Sequence, residues 1–285
     1  MIKKLFAILS VLFLFLGCSK THVQVPAYIE IDNYFTKVVP ASVGCYQGTN
    51  SQNFTDVLVY ANGTSYGTYP LGSKIPVLTS GPTSFIIRGV IRVNGVDALR
   101  SDYEVMKGCD TIITVNPGKV TRVIPVFEYF SAAQFPWIVT FDASPDSGNH
   151  GPPIVASCGC GTSTATTYSP GYSNTGYCLA LKPTADSSSS VESKASIPLP
   201  AGGVGVYLEV NYLSNTDIYV SINGTDGGII KASPGSGWKK IYLTLTEQVS
   251  NLQAGTYTIG FQAYYSSAVG ANLALIDNIK IVTAQ

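Results

Sequence analysis

The chain has 285 residues, with 17 Lys or Arg against 17 Asp or Glu, and only 12% of its residues are charged. Phosphate recognition needs a basic patch, which this balanced, charge-poor chain does not offer, so a nucleic-acid partner is excluded. Twenty-eight glycines and eighteen tyrosines suit many short strands joined by turns, and the length suggests two ordinary domains.

The chain opens with Met1-Ile2-Lys3-Lys4, an apolar run from Leu5 to Leu16, and Gly17-Cys18. The run is shorter than the ~20 residues needed to span a bilayer. Its basic start and small-residue end read as an export signal over residues 1–17. Phe15-Leu16-Gly17-Cys18 resembles a bacterial lipobox. That resemblance implies cleavage before Cys18, acylation of its sulfur (a palmitate-type lipid), and a bilayer partner reached through a lipidated linker, 18–27. Each buried methylene of such an anchor adds ~0.8 kcal/mol.

From Tyr28 the pattern is strand after strand, and residues 28–128 are expected to form an N-terminal β-sandwich. Tyr28 to Asp32 alternates apolar with polar residues. Thr55 to Tyr60 and Thr64 to Tyr69 flank Asn62-Gly63, a strong hairpin signal because both central residues must take positive φ. Ser84 to Val93 is a further strand, turning at Asn94-Gly95. Asp110 to Val115 and Val120 to Phe127, joined by Asn116-Pro117-Gly118-Lys119, read as another hairpin. No helical periodicity of useful length is present.

Glu128 to Pro136 reads as a junction, and residues 135–285 as a second β-sandwich. It begins with Trp137 to Asp142 and continues through Val204 to Tyr212, Ile218 to Ile222, Trp238 to Leu245, Thr256 to Tyr265 and Leu273 to Val282. In Trp238 to Leu245, Ile241, Leu243 and Leu245 point one way while Lys240, Tyr242 and Thr244 point the other, as in a half-buried antiparallel strand. Trp137 and Trp238 are expected in the core. Ala143 to Ser190 is rich in Gly, Ser, Thr and Pro and holds Cys158, Cys160 and Cys178. An exported chain keeps disulfides, so Cys45–Cys109, and Cys178 with either Cys158 or Cys160, are the expected pairs, with one thiol left over.

The stretches Val206 to Tyr212, Trp238 to Tyr242 and Ile276-Asp277-Asn278-Ile279-Lys280-Ile281 resemble jelly-roll modules of the carbohydrate-binding type, common in exported lipoproteins of Bacteroidetes. Thr55 to Tyr60, Pro76-Val77-Leu78 and Ile91 to Val96 look like the N-terminal domain of uncharacterised lipoproteins of that phylum. The whole therefore reads as all-β, with two antiparallel β-sandwiches, the second jelly-roll-like, behind a cleaved signal. The resemblance implies an outer-membrane location, with the periplasmic and cell-surface faces both open. It also implies a structural calcium shared by Asp142 and Asp277, although calcium needs six to eight oxygens.

Sugar recognition sets aromatic faces against pyranose C–H groups. Tyr168, Tyr172, Tyr177, Tyr264 and Tyr265 are the ligand-binding candidates. Catalysis has little to stand on. The histidines are His22 and His150, and there is no Gly-x-Ser-x-Gly turn. The expectation is a membrane-anchored, non-catalytic protein binding a glycan or polysaccharide. The alternative is a docking subunit of an outer-membrane protein complex with no sugar site.

Overall fold

The alternating segments of the first half become β1 (Ala27–Glu30), β2 (Phe35–Lys37), β3 (Asp56–Ala61), β4 (Thr64–Pro70), β5 (Lys74–Val77), β6 (Gly81–Arg92), β7 (Arg100–Asp102), β8 (Met106–Lys107), β9 (Cys109–Val115), β10 (Val120–Arg122) and β11 (Val126–Tyr129). The structure is a computed structural model and describes residues 24–38, 46–141, 154–156, 166–168, 177–193, 196–200, 204–250 and 255–284. One layer holds β1 between β10 (parallel) and β5 (antiparallel), and β11 between β2 (parallel) and β8 (antiparallel). In the other, the long β6 pairs with β3 on one edge and with β9 and β7 on the other. Ala27, Ile29, Ile75, Val77 and Phe127 of the first layer share a buried core with Val57, Val59, Phe85 and Ile87 of the second.

Local turn chemistry is obeyed. Asn62 and Gly63 take φ of 48° and 79°, and Asn94 and Gly95 take 55° and 71°. The hairpin expected over residues 110–127 does not form. Its first strand, β9, pairs with β6, while β10 pairs with β1. Gly118 N donates to Pro26 O, so the turn at 116–119 hands the chain from one layer to the other. The turn residues specify a reversal of direction, but burial decides the partner: Val115 packs into the shared core, while Val120 lies on the outer side of the first layer.

The second half forms β12 (Gln134–Val139), β13 (Ile154–Ala156), β14 (Thr166–Tyr168), β15 (Cys178–Leu181), β16 (Ser189–Ser193), β17 (Ile197–Leu199), β18 (Val206–Ser214), β19 (Ile218–Ile222), β20 (Thr225–Ile230), β21 (Lys239–Thr244), β22 (Gly255–Tyr257), β23 (Ile259–Ala263) and β24 (Ala274–Thr283). The only helix among the described residues is Thr246–Ser250. One sheet runs β14-β15-β24-β18-β21, with β12 also on β24; the other runs β13-β16-β23-β19-β20. Trp137, Leu208, Val210, Ile241, Leu243, Ile276 and Ile279 from the first meet Ile218, Val220, Ile222, Ile259 and Phe261 from the second in one core. This is a sandwich, and apart from that one short helix the described regular structure is all-β. The strand expected over residues 256–265 is split. β22 joins β17 in a small two-stranded sheet, and β23 enters the sandwich.

Strand β21 corrects another expectation. Ile241 and Leu243 do face the core, but the opposite side is not solvated: Lys240 and Tyr242 are buried too. The first half of the chain covers them.

Candidate functional site

The sandwich has two outer faces with opposite fates. The outer face of the β24–β18–β21 sheet carries Lys280 and Val282, then Tyr207, Glu209 and Asn211, then Lys240 and Tyr242, all buried. Tyr207, Tyr242 and Val282 belong to the same core as the first half's Phe54, Tyr103 and Phe127. The Tyr103 and Tyr242 ring centres lie 5.0 Å apart, and Tyr242 stacks on Phe54 at 6.3 Å.

Glu209, fully buried, is the hub of this seam. Its Oε2 lies 2.8 Å from Lys240 Nζ and 3.7 Å from Lys280 Nζ. Tyr103 and Tyr129 both donate their hydroxyls to Oε1 at 2.6 Å. Lys280 Nζ donates to the Tyr129 hydroxyl (3.0 Å) and to Thr49 O (3.2 Å). Gln52 donates to the Tyr129 hydroxyl and accepts from that of Tyr242, each at 2.7 Å. Gly48 lets the backbone of this segment approach: its φ is +74°, and a Cβ there would stand 2.9 Å from Lys280 Cε.

These neighbours set the protonation states. Burial pushes the Glu209 carboxyl up, but Lys240 and Lys280 outweigh it and hold it at about 2. Burial drives Lys280 down to about 8 against the pull of Glu209. Burial, reinforced by the Glu209 charge, raises the Tyr103 and Tyr129 hydroxyls well above their usual value. The linkage signs follow. The depressed Glu209 contributes stability above 4.5, which is lost as pH falls towards 2. The depressed Lys280 makes the unfolded chain bind more protons between 8 and 10.5, so stability rises with pH in that window. The raised tyrosines reverse the trend above 10.0, where the unfolded chain gives up protons that the folded chain keeps. Urea midpoints measured from pH 2 to 11 should therefore rise through the first window, continue rising above pH 8, and turn down beyond pH 10. A monotonic fall above pH 8 would contradict the assigned state of Lys280.

The outer face of the β16–β23–β19–β20 sheet is open. On β19, Ile218, Val220 and Ile222 point inward, which turns Tyr219 and Ser221 outward. Tyr219 pairs with Gln262 of β23, which in turn pairs with Ser190 of β16. Tyr264 lies diagonally beside Tyr219 with ring centres 5.1 Å apart at 86°, an edge-to-face pair. The two rings are 38% and 48% exposed. The Tyr264 hydroxyl donates to Gln262 Oε1, and Gln262 Nε2 donates to Ser188 Oγ, both at 2.9 Å. Thr216, whose hydroxyl donates to Tyr264 O at 2.7 Å, fixes the end of β23. Asn215 and Asn272 tie down the loop that follows through bonds to Ala271 O and Ser266 O. A cleft of about 420 Å³ lined by Asn215, Ser233, Ser236, Gly270 and Leu273 lies against that loop. The result is a fixed surface of two exposed rings, an oriented amide and hydroxyls.

Of the carboxylates near this face, Glu192 lies on it beside Ser190 of β16, while Asp217 and Asp226 are held by local structure. Asp217 accepts from Lys231 Nζ and Ala232 N, each at 2.8 Å. Burial pushes its carboxyl up, but these donors win and lower it. Asp226 caps Gly228 N at 2.8 Å.

The residues singled out from sequence are scattered. Tyr264 and Tyr265 are exposed at the end of β23, while Tyr177 is exposed beside β15, in the other sheet. Tyr168 lies on β14. Tyr172, Cys18, Cys45, Cys158, Cys160, Asp142, His22 and His150 lie outside the described residues. Cys109 is half-buried at the start of β9. Cys178 is buried on β15, where burial and the neighbouring Asp277 charge push its thiol up to about 12. Asp277 is buried and accepts from Asn278 N at 2.7 Å. Beside it, Asn211 Oδ1 and Asn278 Oδ1 are buried without a hydrogen-bond partner among the described residues, and these oxygens are the groups there suited to a hard cation. No group of three His, Cys, Asp or Glu that could hold a metal occurs among the described residues. Trp137 is fully buried in the main core, and Trp238 packs partly buried against Cys178, Ala180 and Leu275. Tyr219 was not singled out, although its place between Ile218 and Val220 signals an outward ring.

No known family matches the chain, and no curated protein matches it in sequence. Its structural neighbours include carbohydrate-binding modules. A family 29 module is 12% identical, at a TM-score of 0.32, covering 53% of this chain and 88% of the module. The family 11 module from Clostridium thermocellum, in complex with a mixed-linked tetrasaccharide, is 16% identical, at a TM-score of 0.32, covering 52% of this chain and 94% of the module. The enzymatically active domain of bacteriophage CBA120 tailspike protein 4 is 14% identical, at a TM-score of 0.32, covering 53% of this chain and 19% of that one.

Proposed function

We propose that this chain is a non-catalytic glycan-binding lipoprotein of the outer membrane, tethered through acylated Cys18, which holds its ligand on the open β16–β23–β19 face. The observation that carries the reading is the exposed Tyr219–Tyr264 pair, braced by Gln262. A sugar ring presents an apolar C–H face and a rim of hydroxyls. Exposed rings beside an amide and serine hydroxyls complement both. The non-catalytic part is supported by Asp217 and Asp226, whose oxygens already serve local backbone and Lys231. The tether is supported by the Lys3-Lys4 start, the short apolar run and Gly17-Cys18. Among the described residues no helix is long and apolar enough to cross a membrane.

The test is a glycan array probed with the purified chain, followed by titration of each hit. Tyr219→Ala and Tyr264→Ala should each weaken binding at least about tenfold, roughly 1.4 kcal/mol, with the fold unchanged. Wild-type affinity in both variants would remove this face from consideration, and an array without hits would remove the glycan reading.

A further inference from the structure

We propose that the outer face of the first half's β1–β10–β11 layer is a membrane-resting surface, which lays the protein side-on against anionic lipid headgroups. The inference rests on the tether at Cys18 and is independent of the glycan face. Six large exposed apolar side chains concentrate on this layer: Val25, Phe35, Leu78, Val120, Ile124 and Val126, each between 43% and 59% exposed. The outward orientation of Phe35, Leu78, Val120, Ile124 and Val126 follows from register, and Val25 borders them at the chain's entry. Along residues 120–126 the even positions are exposed, while Val123 and then Phe127 turn into the core. Val126 pairs with Phe35, and Val120 pairs with Tyr28. Leu78 follows directly on β5, and Val25 precedes β1 at the same end, where Gln24 Nε2 donates to Leu78 O at 3.3 Å. No described strand covers this face: the second half meets the first through residues 48–54, the turn at 93–95, Tyr103, Glu104 and Tyr129.

Two further facts select a bilayer as the occupant. The chain enters this face at Gln24, six residues after Cys18. Even fully extended, six residues reach about 20 Å, so a lipid on Cys18 keeps the Val25–Leu78 end close to the bilayer. The same face carries cations suited to phosphate headgroups: Lys37, Lys74 and Lys119 are exposed, as is Arg122, and they exceed the carboxylates beside them, Glu30 (3.1 Å from Arg122), Asp32 and Glu128 (3.0 Å from Lys107). Scattered valine and leucine side chains ringed by lysines match the interfacial zone of a bilayer, where apolar atoms enter the headgroup boundary and ammonium groups stay at phosphate level.

The test reconstitutes the full-length lipidated chain into phosphatidylcholine–phosphatidylglycerol vesicles with brominated acyl chains. Ile124→Trp places a reporter far along the face from the anchor. Thr225→Trp places one on β20, with the thickness of the C-terminal sandwich between it and the first half. After subtraction of the Trp137 and Trp238 background, Ile124→Trp should be blue-shifted and lose its added fluorescence to bromine, while Thr225→Trp should keep it. Leu78→Trp gives the same readout should Ile124→Trp fail to fold. Palmitate labelling of the same preparation separates the failures. A labelled chain whose two reporters emit alike overturns the membrane face alone. An unlabelled chain overturns the tether and this surface with it, and leaves the glycan-array result standing.

Discussion

Replacing Glu209 by alanine should cost about 3–5 kcal/mol of stability, the usual penalty for leaving buried charge without its partner. Glu209 is the anion within reach of both Lys240 and Lys280, at 2.8 and 3.7 Å. It also accepts the hydroxyls of Tyr103 and Tyr129, so truncation orphans donors from both halves of the chain. The loss has a ceiling. Lys280 already titrates near 8, so shedding its proton relieves part of the new imbalance. Lys280→Met should therefore be much milder than Glu209→Ala, because the 2.8 Å pair survives and a surplus positive charge leaves the seam. Urea unfolding of the three proteins at one pH makes the comparison. Limited proteolysis should show Glu209→Ala nicked near residues 130–136 before either half is degraded, since the seam is what the substitution loosens. A loss below 1 kcal/mol, or equal losses in the two variants, would show that the aromatic packing around Tyr242 holds the halves together without the charges.

Strand positions and tight turns were legible in the sequence because both are local properties. Alternation placed β3, β18, β19, β21 and β24 to within a residue or two, and Asn62-Gly63 and Asn94-Gly95 adopt the positive φ their chemistry predicts. Partner choice was not legible. The turn at 116–119 reads the same whether its strands pair with each other or part for different layers, and that depends on burial of Val115 against distant residues. The seam was invisible for a related reason. In isolation Lys240, Glu209 and Lys280 look like the solvated side of an amphipathic strand. What buries them comes from far along the chain: Tyr129 lies 80 positions from Glu209, and Tyr103 lies 106 away. The open face was half legible. Tyr264 stood out as one of two consecutive tyrosines near a loop. Tyr219 is hidden inside an apolar strand, and only the register between β19 and β23 brings the two rings together.

The two tryptophans, which read alike in sequence, should behave differently when truncated. Trp137 has no exposed surface, pairs with Ile281 across β12 and β24, and lies in the cluster that joins both sheets of the C-terminal sandwich. No neighbouring strand can collapse into the space an indole vacates without breaking that pairing. Trp137→Ala should therefore cost about 3–5 kcal/mol and lower the urea midpoint by about 1–2 M. Trp238 precedes β21 and packs, partly exposed, on a small satellite cluster with Leu213, Leu273 and Leu275. Water already reaches its ring, so Trp238→Ala creates no sealed cavity and should cost less than half as much. Because Trp137 belongs to the C-terminal core and Glu209 to the seam, the double variant Trp137→Ala, Glu209→Ala also tests how the halves are coupled. If the seam couples the two halves into one cooperative unit, every variant should unfold in a single transition by all probes, and the two distant losses should add. Two separate transitions in Glu209→Ala would mean that the cores stand or fall independently once the buried charges are broken.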